Sequence, residues 1–216
     1  MIFFDHLEHP LSQAVAEICQ SKELQVVDVA GQGGLPMSLS RYGTPRAYVL
    51  SPLVTCEAGG LAKALHTPKA AREFTEQIHT DALRFLSDCR TATQAMMTQK
   101  AGQILFLGID DVAARLVGLA ETPIGNQLRV SGLKSLAKEY GRMGIRFNAV
   151  LSQPSKELAP PEVWRARREA LKVYTMRFSP SETRDYADFC WGLLKEKTPL
   201  NGGVICLGKG VMEMAA

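Results

Sequence analysis

The sequence has no apolar run approaching the roughly 20 residues that cross a bilayer as a helix, which excludes a membrane-spanning helix. It has no basic run longer than the Arg165, Arg167 and Arg168 group, and its net charge is only +3 over 216 residues, so it lacks the electrostatic footprint of a nucleic-acid binder. Its opening, Met-Ile-Phe-Phe, meets Asp5 and His6 at once and lacks the basic-then-apolar pattern of a signal peptide, which sets the expectation of a cytoplasmic chain. Cysteine is sparse: Cys19, Cys56, Cys89, Cys190 and Cys206 are odd in number, far apart and set among apolar residues. That pattern excludes a disulfide framework and reads as reduced core positions. No metal-ligand spacing stands out. His6 and His9, with Asp5 and Glu8, read as a solvated helix start, and His66 and His79 as surface or helix-face residues.

At 46% hydrophobic and 22% charged, the chain has the composition of a globular protein, and residues 1–216 are read as a single domain. Strand-like and helix-like patterns alternate throughout, without repeats, which predicts an α/β layered fold. Strands are expected at Ile2–Phe4, Leu24–Val29, Ala47–Leu50, Ile104–Leu107, Ile145–Leu151 and Gly203–Leu207. Helices are expected after Pro10, over Pro68–Lys100, Ile124–Tyr140, Val163–Leu171 and Ser181–Leu194. The glycine-, serine- and proline-rich stretch Ala30–Pro45 reads as loop. Within it, Gly31-Gln32-Gly33-Gly34 reads as a flexible turn, because it follows the second strand and enters Leu35-Pro36 rather than a helix. The basic run Arg165, Arg167, Arg168 and Lys172 reads as a solvated helix face.

The segment Gly132-Leu133-Lys134-Ser135-Leu136-Ala137-Lys138-Glu139-Tyr140-Gly141, followed by Gly144-Ile145-Arg146-Phe147-Asn148-Ala149-Val150, resembles the helix and following strand of the short-chain dehydrogenases/reductases. Leu200-Asn201-Gly202-Gly203-Val204-Ile205-Cys206-Leu207 is similar to the ending of the same family. The resemblance covers the C-terminal half well and the N-terminal half only in pattern. It implies a Rossmann-like, doubly wound parallel sheet in three α/β/α layers. Too few residues separate Phe4 from Leu50 for two complete βα units, so the N-terminal half is expected to be trimmed of an edge strand or helix.

Counting back from Glu139 along an ungapped helix, the family's tyrosine falls on Thr122 and its lysine on Asn126. Threonine supplies no phenol with a tunable pKa, and asparagine no charge to tune one. The family's serine falls near Gly108 and Ile109, and its helix asparagine near Ala82, with Asp81 the nearest polar residue. In the cofactor turn, His6, Pro10 and Ser12 occupy the expected glycine positions, and Asp5 and Glu8 place carboxylates where pyrophosphate would lie. The loop after the third strand reads Leu50-Ser51-Pro52-Leu53, and Ser152-Gln153 replaces the family's proline-glycine.

The resemblance therefore implies a degenerate member that binds no cofactor and carries no catalytic set. It is similar to the inactive subunit of a heteromeric dehydrogenase, such as one acting on a hydroxyacyl-CoA in anaerobic toluene degradation. Such a chain is expected to assemble with a catalytically competent NAD(P)-dependent homologue, as a heterotetramer, or with itself. The family's paired long helices nominate Phe74, Ile78, Phe85, Cys89, Leu128, Leu133, Leu136 and Tyr140 as interface residues. Alternative readings are a cleft repurposed for dehydration or cyclisation, around Asp81, Asp110, Asp111 or Thr122, and a module binding an acyl or aromatic ligand.

Overall fold

The computed structural model describes residues 1–52, 65–116, 123–172, 180–195 and 198–208. In chain order these form β1 (Ile2–Phe4), α1 (Pro10–Ser21), β2 (Val26–Asp28), α2 (Leu35–Tyr42), β3 (Ala47–Leu50) and α3 (Pro68–Gln99). They continue as β4 (Gly102–Ile109), α4 (Asp111–Leu116), α5 (Pro123–Tyr140), β5 (Ile145–Ser152), α6 (Pro161–Lys172), α7 (Thr183–Lys195) and β6 (Val204–Leu207). Every described strand pairing is parallel, in the order β2-β1-β3-β4-β5-β6.

Side-chain alternation along the strands divides the interior in two. Phe3, Tyr48, Ile104, Phe106 and Phe147 point to one face, where α2, α3 and α5 supply Leu35, Phe85, Cys89, Met96, Val130 and Leu133. Phe4, Val49, Leu105, Leu107 and Val150 point to the other, packed by α1 through Leu11, Val15 and Ile18 and by α7 through Tyr186, Cys190 and Leu194. The sheet is thus buried on both sides, which explains why its strands read as unbroken apolar runs.

The expected trimming is present: among the described residues the three-residue β2 forms the sheet edge. The Ala30–Pro45 stretch is not the loop that its composition suggests. It holds a 3-10 turn at Ala30–Gln32 and the helix α2. Gly34, at φ 103°, takes a backbone conformation that other residues avoid and serves as N-cap. Pro36 sits in the first turn, where its missing N–H costs no helical bond. Leu35 and Ser38 then turn inward, so a short amphipathic helix was disguised by its turn-forming residues.

The long helices α3 and α5 cross closely at Gly132. A Cβ there would lie 2.7 Å from Phe85 Cε1, so glycine lets the Phe85 ring fill the space between them. Their inner faces belong to the core. Phe85, Cys89 and Leu133, nominated as interface residues, are buried against the chain's own sheet and cannot meet a partner. A helix flanking a sheet needs an apolar stripe for that sheet alone, and periodicity does not distinguish it from an interface stripe. Phe74, Ile78, Leu128, Leu136 and Tyr140 are half-buried. The outward apolar residues are Leu83 and Leu86 on α3, about half exposed, with Ile124 at the start of α5. No described helix is long and apolar enough to cross a membrane.

Candidate functional site

In an open parallel sheet, ligands bind beyond the carboxyl ends of the strands where the strand order reverses. Here β1 is followed in sequence by β2 on one side and flanked by β3 on the other, so the crevice lies over Phe4-Asp5 and Leu50-Ser51. The strand ends beneath it are tied together. Asp5 is 3% exposed, and its Oδ1 accepts the His6 N–H at 2.8 Å and the Ser51 N–H at 2.8 Å. Ser51 Oγ donates to the His6 carbonyl at 2.6 Å, and Arg129 Nη1, from α5, donates to the Ser51 carbonyl at 3.1 Å.

The N-terminus of α1, where a pyrophosphate would find backbone donors, is closed as well. His9 is its N-cap and accepts the Leu11 N–H through Nδ1 at 3.1 Å, while Pro10 offers no N–H. Burial, with His6 beside it, lowers the His9 pKa to about 4, so the imidazole is neutral and able to accept. Ser12, at the third expected glycine, is fully buried. Asp5 and His9 are therefore interior groups with structural bonds, and the solvated helix start read from the sequence is corrected; only Glu8 is exposed. Among the described residues no group of three His, Cys, Asp or Glu side chains could hold a metal.

Arg129 is 6% exposed, with its guanidinium 5.2 Å from the Phe106 ring centroid and 6.0 Å from that of Phe85. Burial lowers its pKa, against the opposing pull of Asp5 and Asp81. On the same side Tyr48 donates to Asp88 Oδ2 at 3.0 Å; burial, with Asp5 and Asp88 nearby, holds its phenol well above the usual range. Position 129 falls in step with Asn126, Val130, Leu133 and Ala137 on the inner face of α5, a spacing that identifies a buried arginine in retrospect.

At the other end of the edge, over β4 and β5, lie the positions that the sequence resemblance nominates for catalysis. Asn126 is buried and donates from Nδ2 to the Ile109 carbonyl at 2.9 Å and to Asp111 Oδ2 at 2.9 Å. Asp110 caps α4 by accepting the Ala113 N–H at 2.8 Å. Ser152 Oγ lies 3.4 Å from the Gly108 carbonyl. Ala82 is half-buried on α3. Thr122, Leu53 and Cys56 lie outside the described residues, as do the side chains of Arg168 and Lys172. The first two turns of α5, Pro123–Val130, contain neither tyrosine nor lysine. This corner can orient a polar group through hydrogen bonds, and among its described residues no phenol–ammonium pair is present to exchange a proton at neutral pH. Cys19, Cys89 and Cys190 are poor nucleophiles: burial raises Cys19 to about 11 and Cys89 and Cys190 to about 12.

Sequence reading missed Asp28. It closes β2, the position from which an acidic side chain contacts a ribose in dinucleotide-binding sheets. Its Oδ1 is buried without a hydrogen-bond partner, and its Oδ2 lies 3.1 Å from where a Gly31 Cβ would stand. Its signal was the acidic residue ending the second strand, just ahead of Gly31-Gln32-Gly33-Gly34, a turn that does lead into a helix.

The sequence matches no protein-family model and no curated protein. The architecture is nevertheless that of a class of Rossmann-like enzymes with solved structures. A dehalogenation enzyme is similar over 95% of each chain, with a TM-score of 0.70 at 19% identity. ElxO with NADP bound is similar over 95% of each chain, with a TM-score of 0.68 at 14% identity. Halohydrin dehalogenase HheC, bound to ethyl (2S)-oxiran-2-ylacetate, is similar over the whole of both chains, with a TM-score of 0.66 at 14% identity. At these identities the likeness establishes the fold.

Proposed function

We propose that this chain is a degenerate short-chain dehydrogenase/reductase that does not itself transfer hydride and that supports a catalytically competent NAD(P)-dependent relative, one acting on a hydroxyacyl-CoA being the arrangement it most resembles. The observation that supports this reading is the bonding of the β1–α1 turn. Asp5 and Ser51 bond to each other and to the His6 backbone, and His9 caps the Leu11 N–H, where a dinucleotide's phosphates would need open backbone donors. The exchange of the family's lysine for Asn126, tied to Ile109 and Asp111, agrees with it.

Assembly would use the outer faces of α3 and α5. Leu83 and Leu86 form an apolar centre on α3, with Glu76 and Arg90 equally far along the helix on either side of Leu83, both exposed. Two such helices packed antiparallel about a two-fold through Leu83 bring each Glu76 to the other's Arg90, so a helix of similar pattern is the complementary partner. The test is native mass spectrometry of the full chain purified from its source, before and after Leu83→Glu. The expected result is a hetero-oligomer containing a chain with an intact glycine motif, dissociated by the substitution. A stable homo-oligomer that oxidises or reduces a substrate with NAD(P)H would overturn the proposal.

A second reading is favoured by Asp28. The unpartnered carboxylate at the end of β2 fits a cleft that keeps a nucleoside-type ligand through its sugar hydroxyls while the phosphate end is shut. Adenosine binding abolished by Asp28→Ala would support it, and equal binding to wild type and variant would exclude it.

A further inference from the structure

We propose that His9 is an acid-sensitive latch on the crevice: its neutral imidazole closes the N-terminus of α1, and protonation frees that end and loosens the β1–α1 turn. The inference rests on the capping geometry and holds whether or not the chain assembles with a partner.

Leu11 N–H donates to the Nδ1 lone pair of His9. A protonated imidazole has no lone pair left, so a single proton abolishes the bond instead of weakening it. The same proton places a positive charge at the positive end of a helix dipole, in a side chain that is 9% exposed. An aspartate or serine cap has no such failure near neutrality, which makes histidine here a different device from an ordinary N-cap.

The surroundings offer little to absorb the charge. On its own loop His9 has His6, which opposes a second positive charge and whose Nδ1 is buried without a partner. Asp5 is occupied by the His6 and Ser51 N–H groups and lies 3.9 Å from His6 Nε2, and Glu8 faces solvent. From α7, packed along α1, the buried titratable side chains are Tyr186 and Cys190, both uncharged at neutral and acid pH. Asp185 and Asp188 of that helix are exposed.

The turn that His9 anchors holds Asp5 and His6, the two residues bonded to Ser51 across the switch point. Release of the cap therefore acts on the bonds that tie this turn to the end of β3. It also returns the Leu11 N–H to an open helix end with added positive charge, converting a closed turn into one receptive to an anion.

The linkage has a definite sign. The latched imidazole has a pKa of about 4 and the released one the ordinary 6.5. Closure is fully favoured above the ordinary value and is lost as pH falls toward the latched value. With those two values, opening should increase roughly 30-fold between pH 7.5 and pH 5.0.

Hydrogen–deuterium exchange of the full chain across this range, corrected for intrinsic rate, reads the effect at Leu11 to Ala14, with β4 as an internal control. Wild type should show that increase at the start of α1 while β4 stays protected. His9→Asp, which keeps an acceptor, should show less than about a threefold change. A flat wild-type profile, or a His9→Asp profile as steep as wild type, would overturn the latch. If His9→Asp does not fold, the NMR titration of His9 in wild type decides: a midpoint well below 6.5 is required, and an unshifted one contradicts the proposal.

Discussion

Arg129 shows how single residues set the character of the crevice. Its charge lies between two aromatic rings, beside Asp5, with one bond reaching across to the end of β3. A buried guanidinium is tolerated only where neighbours compensate for lost water, here Phe85, Phe106, the Ser51 carbonyl and the fields of Asp5 and Asp81. Replacing it by methionine keeps the volume but leaves Asp5 without its nearby positive charge. Arg129→Met should lower unfolding stability by about 2–4 kcal/mol in a urea titration, and a loss below about 0.5 kcal/mol would show that the arginine is dispensable. The sequence hid this residue because an arginine among Val130, Leu133 and Ala137 is ordinarily a side chain reaching out to water. The expectation that His6, Pro10 and Ser12 stand at glycine positions came from the resemblance, position by position. The bonds that hold this turn were not legible, since that of Asp5 to Ser51 joins residues far apart in the chain.

The long helices carry the account at the scale of elements. The helix expected over Pro68–Lys100, found as Pro68–Gln99, was readable because a 3.6-residue period sustained this long points to a helix. Which of its apolar residues face inward was not readable, and Phe85 and Cys89 proved to be core. The contact of Gly132 with the Phe85 ring fixes how closely α5 approaches α3. Gly132→Ala should cost about 1–3 kcal/mol by forcing Phe85 out of its seat, even though alanine favours helix, and thermal unfolding would show it. A stabilised Gly132→Ala would mean that the ring moves freely. The outer face behaves oppositely: Leu83→Glu should leave the stability of the isolated chain within about 0.5 kcal/mol while breaking the assembly. Short α2 was missed because glycine and proline at its start signal turns, although both are favourable just at a helix entrance.

For the whole molecule, alternating strand and helix patterns made the layered α/β fold readable and the resemblance implied its parallel sheet, while the order β2-β1-β3-β4-β5-β6 comes from the structure. The hand of the last connection was not readable. Steps from β2 through β5 use helices on one face, and the first step, in the reverse direction, uses α1 on the other, so all share one hand. The step from β5 to β6 runs in the forward direction yet uses α7 on the face of α1, and so has the opposite hand, against a strong general preference. Packing between α1 and α7 makes it tolerable and also brings both helix starts to the edge that holds the crevice. Under the proposed function this edge does not accept a dinucleotide. Calorimetric titration of the purified chain with NADH and NADPH at pH 7.5 tests it most directly. No saturable heat up to about 1 mM is predicted, and a dissociation constant in the micromolar range for either would contradict the account.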